Sequence, residues 1–513
     1  MATTPQLRST RLRVWTNRHE TFRQPIEDLF DISNGDTGNM LADYNATTLA
    51  IGELIDKAIQ SDKTLRALGG GWSFTKVATT DGWMLNTKHL NMRFTISEEN
   101  ISPDYSGLHD QLLLAQCGCS VQELNDYLRS INRSLKTSGA SNGQTIVGAI
   151  STGTHGAAFD FGSTQDFIVG LHIVLGAGHH IWLERASHPV ASETLIQKLQ
   201  TVLIRDDALF NAALVSFGSF GFIHSAMLET EPAFLLECYR QRIPLDASLR
   251  HVMETLDFSA AAFQPHPNER PFHFQVVVNP YDLQNGLYVI RMFKRPFAPN
   301  YTPWIRDNTK AGPGDDAPAF LGRLMDGLPV LSHVVVNQLV KSTYAPFENV
   351  WGTLGEIFYS TDARGKIWST AFGIPLQYVN EVYNLMLELN ETVGPFAGVL
   401  AFRYVKKSAA TLAFARYSPT CVVEIDGVES SISRKYYDAL WQELLNRNIP
   451  HAFHWGKMHN LDGAALQAMY GADRDRWILA RNQLLTPDQL AVFTNPTLKA
   501  WGLAEVLDIA RPV

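Results

Sequence analysis

A run of three glycines offers the first site for chemistry in this 513-residue chain. Residues 69–71 are all glycine, and they follow the short strand-like stretch 65–68 and precede Trp72 and Ser73. Glycine tolerates positive φ and has no side chain, so the backbone of such a turn can approach a ligand closely. Consecutive N–H groups in a turn of this kind bind phosphate oxygens. Taken alone, the triplet is more typical of an ordinary tight turn.

A second segment strengthens the case for a nucleotide cofactor. Residues 137–162 have the sequence TSGASNGQTIVGAISTGTHGAAFDFG, which is dense in Gly, Ala, Ser and Thr. Small side chains permit close contact along an extended ligand, while hydroxyl and amide groups supply hydrogen-bond donors. A dinucleotide with a pyrophosphate and a polar ring edge requires both. The two segments together predict such a cofactor, and two unrelated turns are the alternative.

The motifs around these segments resemble the FAD-binding domain of the vanillyl-alcohol oxidase superfamily, and most of all its aldonolactone and alditol oxidase branch. The resemblance rests on residues 68–74, 148–156, 210–213 and 217–223, and on the C-terminal motifs HWGK at 454–457 and FTNPTL at 493–498. It implies an α+β fold in which a two-subdomain FAD-binding domain joins an α+β substrate domain with an antiparallel sheet. The implied domains are residues 1–232 for FAD, 233–449 for the substrate, and a segment 450–513 that returns to the FAD-binding domain.

The resemblance also implies which residues bind the flavin. They come from the two glycine segments, a third glycine motif and the HWGK motif: Gly69, Gly70, Gly71, Trp72, Ser73, Ser138, Gly139, Gly143, Gly148, Ser151, Thr152, Thr154, His155, Gly156, Gly218, Gly221, Ile223 and Lys457. The flavin ring is expected at the domain junction, where it takes a hydride from a substrate carbon.

Arg403, Lys457 and Glu424 are predicted to act on the substrate. Arg403 lies where the family carries a strand with Glu, one intervening residue and Arg, but the Glu position is Ala401 here. Residues two apart share a strand face, so this chain lacks the carboxylate beside the arginine. Glu424 or Asp426 is the candidate replacement, although two acids spaced in this way more often face solvent. Lys457 matches a family lysine that reaches flavin and substrate, and it would stabilise the negative charge of the reduced flavin.

The predicted function is that of a flavoprotein oxidoreductase, either an oxidase or a dehydrogenase. It would take a hydride from a C–H next to a hydroxyl or amine of a small organic substrate and pass electrons to dioxygen or another acceptor. Loss of the carboxylate predicts that a simple sugar acid or polyol is not the preferred substrate. Aromatic residues of the middle domain point to a more apolar one: Trp351, Phe358, Tyr359, Trp368 and Phe372.

The FAD is predicted to be non-covalent. Many family members attach the flavin to a histidine that directly precedes the serine of the first glycine loop, and some add a cysteine from the second. Trp72 occupies the first position, and residues 138–141 contain no thiol. His155 belongs to a motif that covalent and non-covalent members share, so it does not bear on attachment.

Other functions have weaker support. His451, His454 and His459 are clustered, but their spacing fits no common zinc-binding helix. Ser151 lacks the first glycine of a nucleophile elbow, and no G-x-G-x-x-G dinucleotide motif occurs. The remaining rival keeps the fold but not the redox chemistry: a flavin-binding scaffold for a non-oxidative reaction such as cyclisation, or a non-catalytic binder.

Composition narrows the partners and the compartment. The formal net charge is −8 with no basic tract, which argues against nucleic acid and acidic membranes. Four scattered cysteines do not suit a disulfide framework and favour a reducing compartment. The N-terminus has no apolar run typical of a signal peptide, and no stretch reaches the roughly 18 apolar residues that span a bilayer. These features predict a cytoplasmic protein of more than one domain, since a single core rarely exceeds roughly 300 residues.

Hydrophobic patterns predict the elements that position the motifs. Apolar residues at 51, 54, 55, 58 and 59 indicate a helix, and Ser120 with Glu123 forms a capping box. Residues 173–175 and 181–183 flank a glycine turn and predict a hairpin. Further strands are predicted at 65–68, 111–116, 272–278, 287–293, 365–372, 399–404 and 421–426, and helices at 376–391 and 433–446.

Overall fold

The chain was described by a computed structural model covering residues 3–267, 269–307, 310–315, 333–359 and 367–509. Helices and sheets are mixed along these ranges, which confirms the predicted α+β class. Within them, no helix is both long and apolar enough to cross a bilayer. The predicted strand at 365–372 is observed as Ile367–Pro375, and its first two residues lie outside the described ranges.

The first sheet presents the glycine triplet at the end of a strand. Its order is Gln6–Ser9, Asp28–Ser33, Trp83–His89 and Leu65–Leu68. The predicted helix is Met40–Gln60, and it begins at the cap Asn39, whose side chain accepts from the Ala42 N–H. A Cβ on Gly52 would lie 2.4 Å from the Gly176 carbonyl oxygen, so glycine lets this helix pack directly against the second sheet.

The second sheet carries the predicted hairpin and lies against the second glycine segment. Ile168–Gly176 and His179–Glu184 pair antiparallel, which confirms the hairpin, and Gly178 turns it with φ +67°. The predicted capping box is also present, with Ser120 and Glu123 at the start of helix Val121–Ser130. The full sheet order is Val202–Arg205, His179–Glu184, Ile168–Gly176, Phe222–Glu229, Leu112–Gln116 and Arg93–Thr95.

The third sheet is antiparallel and forms the middle of the chain, as predicted. Its order is Phe347–Gly352, Phe234–Ile243, Leu287–Pro296, His273–Val278, Gly398–Val405, Thr420–Val428, Ile367–Pro375 and Ala452–Phe453. Helices Val379–Thr392 and Ser431–Asn446 pack on each other and on this sheet, where the Tyr436 hydroxyl donates to the Met386 carbonyl at 2.7 Å. Strands Gly398–Val405 and Thr420–Val428 are buried along their whole length, so polar side chains on them must find partners inside the protein.

The C-terminal segment packs against the glycine-rich half of the chain. Its helices are Gly463–Tyr470, Ala472–Leu484, Pro487–Val492 and Pro496–Ala500. The Trp477 indole donates to the Val215 carbonyl and Arg481 Nε to the Ser219 carbonyl, both at 3.0 Å. These contacts support the division that we propose, with boundaries near residues 232 and 450.

The remaining elements are short or peripheral. Strand pairs Val14–Thr16 with Arg23–Pro25, and Arg133–Ser134 with Glu231–Pro232, form two small ribbons. The other helices are Ile146–Ser151, Glu193–Leu199, Asp207–Leu214, Ala247–Thr255, His333–Thr343 and Leu354–Ile357.

Candidate active site

The two glycine segments lie against each other at the edge of the first sheet. A Cβ on Gly69 would lie 2.2 Å from Thr145 Oγ1, and one on Gly70 would lie 2.8 Å from the Gly143 carbonyl oxygen. Gly71 has φ +71°, a conformation that side chains with a Cβ rarely adopt. The glycine triplet is therefore required both by the turn and by the close approach of the second segment.

Arg66 connects these segments to the third glycine motif. Its guanidinium donates to the carbonyls of Val77 at 2.8 Å and of Gly218 and Phe493 at 3.0 Å, and also to that of Phe217. Burial, with a smaller contribution from Arg481, lowers the Arg66 pKa to about 9, so the side chain is still charged at neutral pH. The local sequence gives no sign of this role, since Arg66 is one residue of a short predicted strand.

The three glycine motifs line one large cavity that is open to solvent, and its empty volume of about 1470 Å³ includes the space at its mouth. Most residues predicted to bind the flavin line it: Gly69, Gly70, Gly71, Trp72, Ser73, Gly139, Gly148, Ser151, Thr152, Thr154, His155, Gly218, Gly221, Ile223 and Lys457. Ser138, Gly143 and Gly156 do not line it. The Ser138 hydroxyl instead donates to Asn142 Oδ1, and a Cβ on Gly156 would lie 2.4 Å from the Ser138 carbonyl oxygen. These residues pack within the second glycine segment.

Several cavity residues were not predicted from the sequence. Trp15, His19 and Phe22 come from the N-terminal ribbon, and Ser141, Gln144, Thr145, Phe217 and His454 come from the loops around the predicted motifs. The Arg18 guanidinium lies 4.6 Å from the Trp72 ring centroid, which helps to hold that ring at the cavity wall. The only local sequence feature that could have indicated the N-terminal cavity residues is the presence of aromatic residues in a polar segment.

The cavity wall contains polar atoms that suit a polar cofactor. Within the described ranges, Trp72 Nε1, His19 Nδ1 and Gln144 Oε1 are buried and have no hydrogen-bond partner in the protein. Buried polar groups are usually paired, so unpaired ones at a cavity suggest a ligand that pairs them. A long cofactor with a pyrophosphate and a polar ring edge fits both this wall and the glycine cradle.

Both glycine loops and the substrate-side strands reach the same end of the cavity. The Phe74 N–H donates to the Gly456 carbonyl at 2.8 Å, and the Thr75 hydroxyl donates to the Trp455 carbonyl at 3.0 Å. These bonds tie the first glycine loop to the HWGK motif. Lys457 is thereby brought to the cavity together with Arg403 and Glu424.

Arg403 and Glu424 form a buried ion pair. Arg403 Nε lies 3.2 Å from Glu424 Oε2, and both side chains are at most 4% exposed. Glu424 lies directly opposite Ala401 in the antiparallel pairing, so both side chains are on the same face of the sheet. Glu424 therefore supplies the carboxylate that Ala401 lacks. Burial raises the pKa of Glu424, but Arg403, Lys457 and His155 outweigh it and hold the pKa below its usual value, which keeps the carboxylate charged.

Asp426 lies two residues beyond Glu424, on the same face of the strand. It accepts a hydrogen bond from the Ser369 hydroxyl, and Lys457 Nζ lies 2.7 Å from that hydroxyl and 3.8 Å from Asp426 Oδ1. The expectation that Glu424 and Asp426 face solvent is wrong, because both are at most 2% exposed. The central position of their strand in the sheet explains the difference.

The aromatic residues thought to favour an apolar substrate do not line the cavity. Trp351 lines a separate cleft with Tyr301 and Trp304, Phe372 packs on Phe453, and Tyr359 is 44% exposed. Phe358 and Trp368 are likewise absent from the cavity wall. These side chains serve the core and surface of the middle sheet.

Histidines are prominent at the cavity but do not form a metal site. Among the described residues, no group of three or more His, Cys, Asp or Glu side chains is arranged to hold a metal ion. His454 Nδ1 accepts from the Gly456 N–H at 3.0 Å, and the His454 ring lies 5.5 Å from that of His155. Burial lowers the pKa of His155 to about 4 despite the opposing effect of Glu424.

Comparison with known proteins gives matches in both sequence and structure. Residues 45–184 match a family described as an FAD binding domain. L-gulono-1,4-lactone dehydrogenase of Mycobacterium tuberculosis is 25% identical over 451 residues, which are 87% of this chain and 92% of that protein. D-arabinono-1,4-lactone oxidase of Debaryomyces hansenii is 28% identical over 205 residues, 39% of this chain and 33% of that protein. The cholesterol oxidase of B. sterolicum has the same fold, with a TM-score of 0.67 at 13% identity over 97% of both chains.

Proposed function

We propose that the chain is an FAD-dependent oxidoreductase of the vanillyl-alcohol oxidase type, which oxidises the carbon bearing a hydroxyl group in a small organic substrate. The observation that carries this proposal is the buried cluster of Arg403, Glu424 and Lys457 at one end of the glycine-lined cavity. Bound FAD supplies a hydride acceptor. The charged cluster binds and orients the substrate next to it.

Each side chain of the cluster has a separate task in this proposal. Arg403 is paired with Glu424 and lines the cavity, where its guanidinium can bind a substrate hydroxyl or carbonyl oxygen. Lys457 is positioned through Ser369 and supplies a positive charge near the place where negative charge develops on reduction. A site so buried excludes water, and this strengthens both electrostatic contributions.

The substrate proposal includes hydroxylated lactones and sterols. The names of two relatives identify L-gulono-1,4-lactone and D-arabinono-1,4-lactone as their substrates, and a protein of the same fold is named for cholesterol. The argument against polyols relied on an absent carboxylate, whereas Glu424 supplies one beside Arg403. The preference for a less polar substrate therefore stays a prediction, but a missing carboxylate no longer supports it.

We further propose that the FAD is bound without a covalent link and that the protein is cytoplasmic. Trp72 offers no nucleophilic nitrogen at the position of the family's attachment histidine. Cys117 also lines the cavity, but burial raises the pKa of its thiol and keeps it protonated. All four cysteines are buried and free, as suits a reducing compartment. Dioxygen or another acceptor reoxidises the flavin.

Anaerobic reduction tests the proposed function. The purified, FAD-loaded protein is mixed without oxygen with L-gulono-1,4-lactone, D-arabinono-1,4-lactone, xylitol or cholesterol, and the visible flavin band is followed. Bleaching by at least one hydroxylated compound is expected, and reoxidation on admitting air distinguishes an oxidase from a dehydrogenase. A flavin that stays oxidised with every alcohol tested would favour the non-redox scaffold instead.

A further inference from the structure

The proposed oxidation releases a proton as well as a hydride. When a carbinol becomes a carbonyl, its C–H bond breaks with both electrons leaving in the hydride, which FAD accepts, and its O–H bond breaks to leave the oxygen electron pair for the new C=O bond. The proton must then pass to a base that contacts the substrate oxygen. Arg403 and Lys457 are cations and cannot serve.

The hydrogen bonding of His155 determines which ring nitrogen can accept that proton. His155 Nδ1 lies 2.9 Å from the Gly156 carbonyl oxygen. A carbonyl oxygen only accepts hydrogen bonds, so Nδ1 carries the hydrogen and Nε2 of the neutral ring presents a lone pair. His155 lines the cavity, which makes that lone pair available to a ligand.

The neighbour of Nε2 is the Glu424 carboxylate. His155 Nε2 lies 3.6 Å from Glu424 Oε1, and both side chains are 3% exposed. A lone pair and a carboxylate are both acceptors, so they cannot bond to each other until a proton arrives. Protonation of Nε2 would convert this contact into a charge-assisted ion pair in a water-excluded site.

We propose that His155 is the catalytic base, that it takes the hydroxyl proton of a primary or secondary carbinol at Nε2, and that Glu424 stabilises the imidazolium formed. This inference rests on the proposed function. In the step the substrate C–H and O–H bonds break, the C=O bond and the Nε2–H bond form, the hydride passes to FAD, and the proton passes to the histidine.

Two other histidines at the cavity are less suited to this task. The lone pair of His454 at Nδ1 is already used by the Gly456 N–H, so its Nε2 carries a hydrogen and acts as a donor. His19 stacks on Phe74, and besides burial its pKa is lowered by the positive charges of Lys457 and Arg18. Of the three, His155 has a carboxylate positioned to stabilise its protonated form.

The environment of His155 keeps it neutral before reaction. Glu424, Arg403, Lys457 and His454 are the titratable or charged groups that face it, and Phe414 packs on its ring. Burial lowers its pKa to about 4, so the ring can accept a proton at neutral pH. As the hydride leaves, the substrate becomes a protonated carbonyl, which is a strong acid, and a weak base is then sufficient.

Nitrogen NMR tests the inference without turnover. In the holoprotein labelled with ¹⁵N-histidine, the His155 signals are identified by their loss in His155→Gln. We expect a neutral ring with its hydrogen on Nδ1 both at pH 7 and at pH 6, because burial lowers the His155 pKa to about 4. A hydrogen on Nε2, or a ring that is mostly protonated at pH 6, would overturn the proposal.

Rapid-mixing kinetics supply the second test. The alcohol that bleaches the wild-type flavin in the panel above is used with His155→Gln and with the matched control His451→Gln, a buried histidine outside the cavity. Loss of a general base should slow bleaching at pH 7 by about 10²- to 10⁴-fold in His155→Gln, whereas His451→Gln should bleach at nearly the wild-type rate. A rate within about threefold of wild type in His155→Gln would refute the base role.

The two tests separate failure of the inference from failure of the proposed function. If no alcohol bleaches the wild-type flavin, the proposed oxidation is wrong, and with it the role of His155. If an alcohol bleaches the wild type and His155→Gln equally well, the oxidation stands and only the base assignment is wrong. Reduced FAD binding in His155→Gln would not affect the NMR result on the wild-type protein.

Discussion

Arg403 shows how neighbouring strands can share a binding function. Glu424 faces it from the next strand, directly across from Ala401. Opposite residues in an antiparallel pair have Cβ atoms roughly 5 Å apart, so a carboxylate on either strand reaches the same volume. The partner of the buried arginine is therefore Glu424, one of the two candidate replacements for the carboxylate that residue 401 lacks.

This ion pair changes what is expected of Arg403→Met. From the sequence, the substitution should abolish activity and leave the melting temperature of the cofactor-free protein nearly unchanged. The structure predicts that it also removes the ion-pair partner of the buried Glu424 carboxylate, which should lower the free energy of unfolding by about 3–5 kcal/mol. Urea unfolding of the cofactor-free protein measures this loss.

The double variant Arg403→Met with Glu424→Gln is the matched control. It also removes the negative charge of residue 424, so most of the lost stability should return while flavin reduction stays absent. If the single variant unfolds at the same urea concentration as the wild type, the ion pair does not stabilise the fold.

Trp72 determines the expected mode of flavin attachment. Its indole lines the cavity and, among the described residues, its Nε1 lacks a protein partner. We expect acid precipitation to leave the yellow colour in the supernatant, and added FAD to raise the melting temperature by mass action. A yellow pellet that fluoresces on a denaturing gel would contradict this prediction.

At the scale of elements, the glycine turns can be tested one against another. Gly221 and Gly178 both have positive φ, at +90° and +67°, but their surroundings differ. A Cβ on Gly221 would lie 2.6 Å from Leu175 Cδ2 at the cavity wall, whereas one on Gly178 would have no atom within 4 Å. Alanine strains the backbone at both positions, and only at Gly221 does it also displace neighbours.

Gly221→Ala should therefore lower FAD occupancy as well as stability. Gly178→Ala should cost about 1–2 kcal/mol of unfolding free energy through its backbone alone and keep full occupancy. The ratio of flavin absorbance to protein absorbance, read after dialysis, distinguishes the two. Equal occupancy in both variants would mean that the third glycine motif does not shape the FAD site.

At the scale of the whole molecule, buried histidines should make stability depend on pH. Burial lowers the pKa to about 3 in four of them and to about 4 in a fifth: His19, His224, His273, His459 and His155. The unfolded chain has the ordinary value near 6.5, so below that pH it binds protons that the folded protein does not. Stability should then be full above about pH 6.5 and fall as pH decreases toward 3–4.

The expected slope is about 1.4 kcal/mol per pH unit for each such histidine. Burial raises the pKa values of Asp166 and Glu231, so these two groups partly offset the loss of stability, but only near the acid end of the range. Unfolding free energies measured between pH 8 and pH 5 should fall steeply below about pH 6.5. His224→Gln should reduce the slope by about 1.4 kcal/mol per pH unit, the contribution of one proton. The His224 ring lies in a buried hydrogen-bond network with Thr48 and Gln116. A flat profile would contradict the neutral state of these rings.

The amino-acid sequence by itself determined the local features of this protein. The glycine turns, the capping box of Ser120 and Glu123, the hairpin around Gly178 and the long helix after Asn39 depend on residues close together in the chain. Their conformations follow from backbone sterics and short-range hydrogen bonds, which is why pattern and resemblance together predicted the fold and the FAD.

Only the tertiary structure decided how distant residues combine at the site. The pairing of Arg403 with Glu424, the approach of His155 to that carboxylate, and the entry of His19 into the cavity wall each join separate elements. Strand register and sheet order set these contacts, and they depend on the packing of the whole chain rather than on any local pattern. The physical reason is that burial and proximity, which control the charge of each group, exist only once the core has formed.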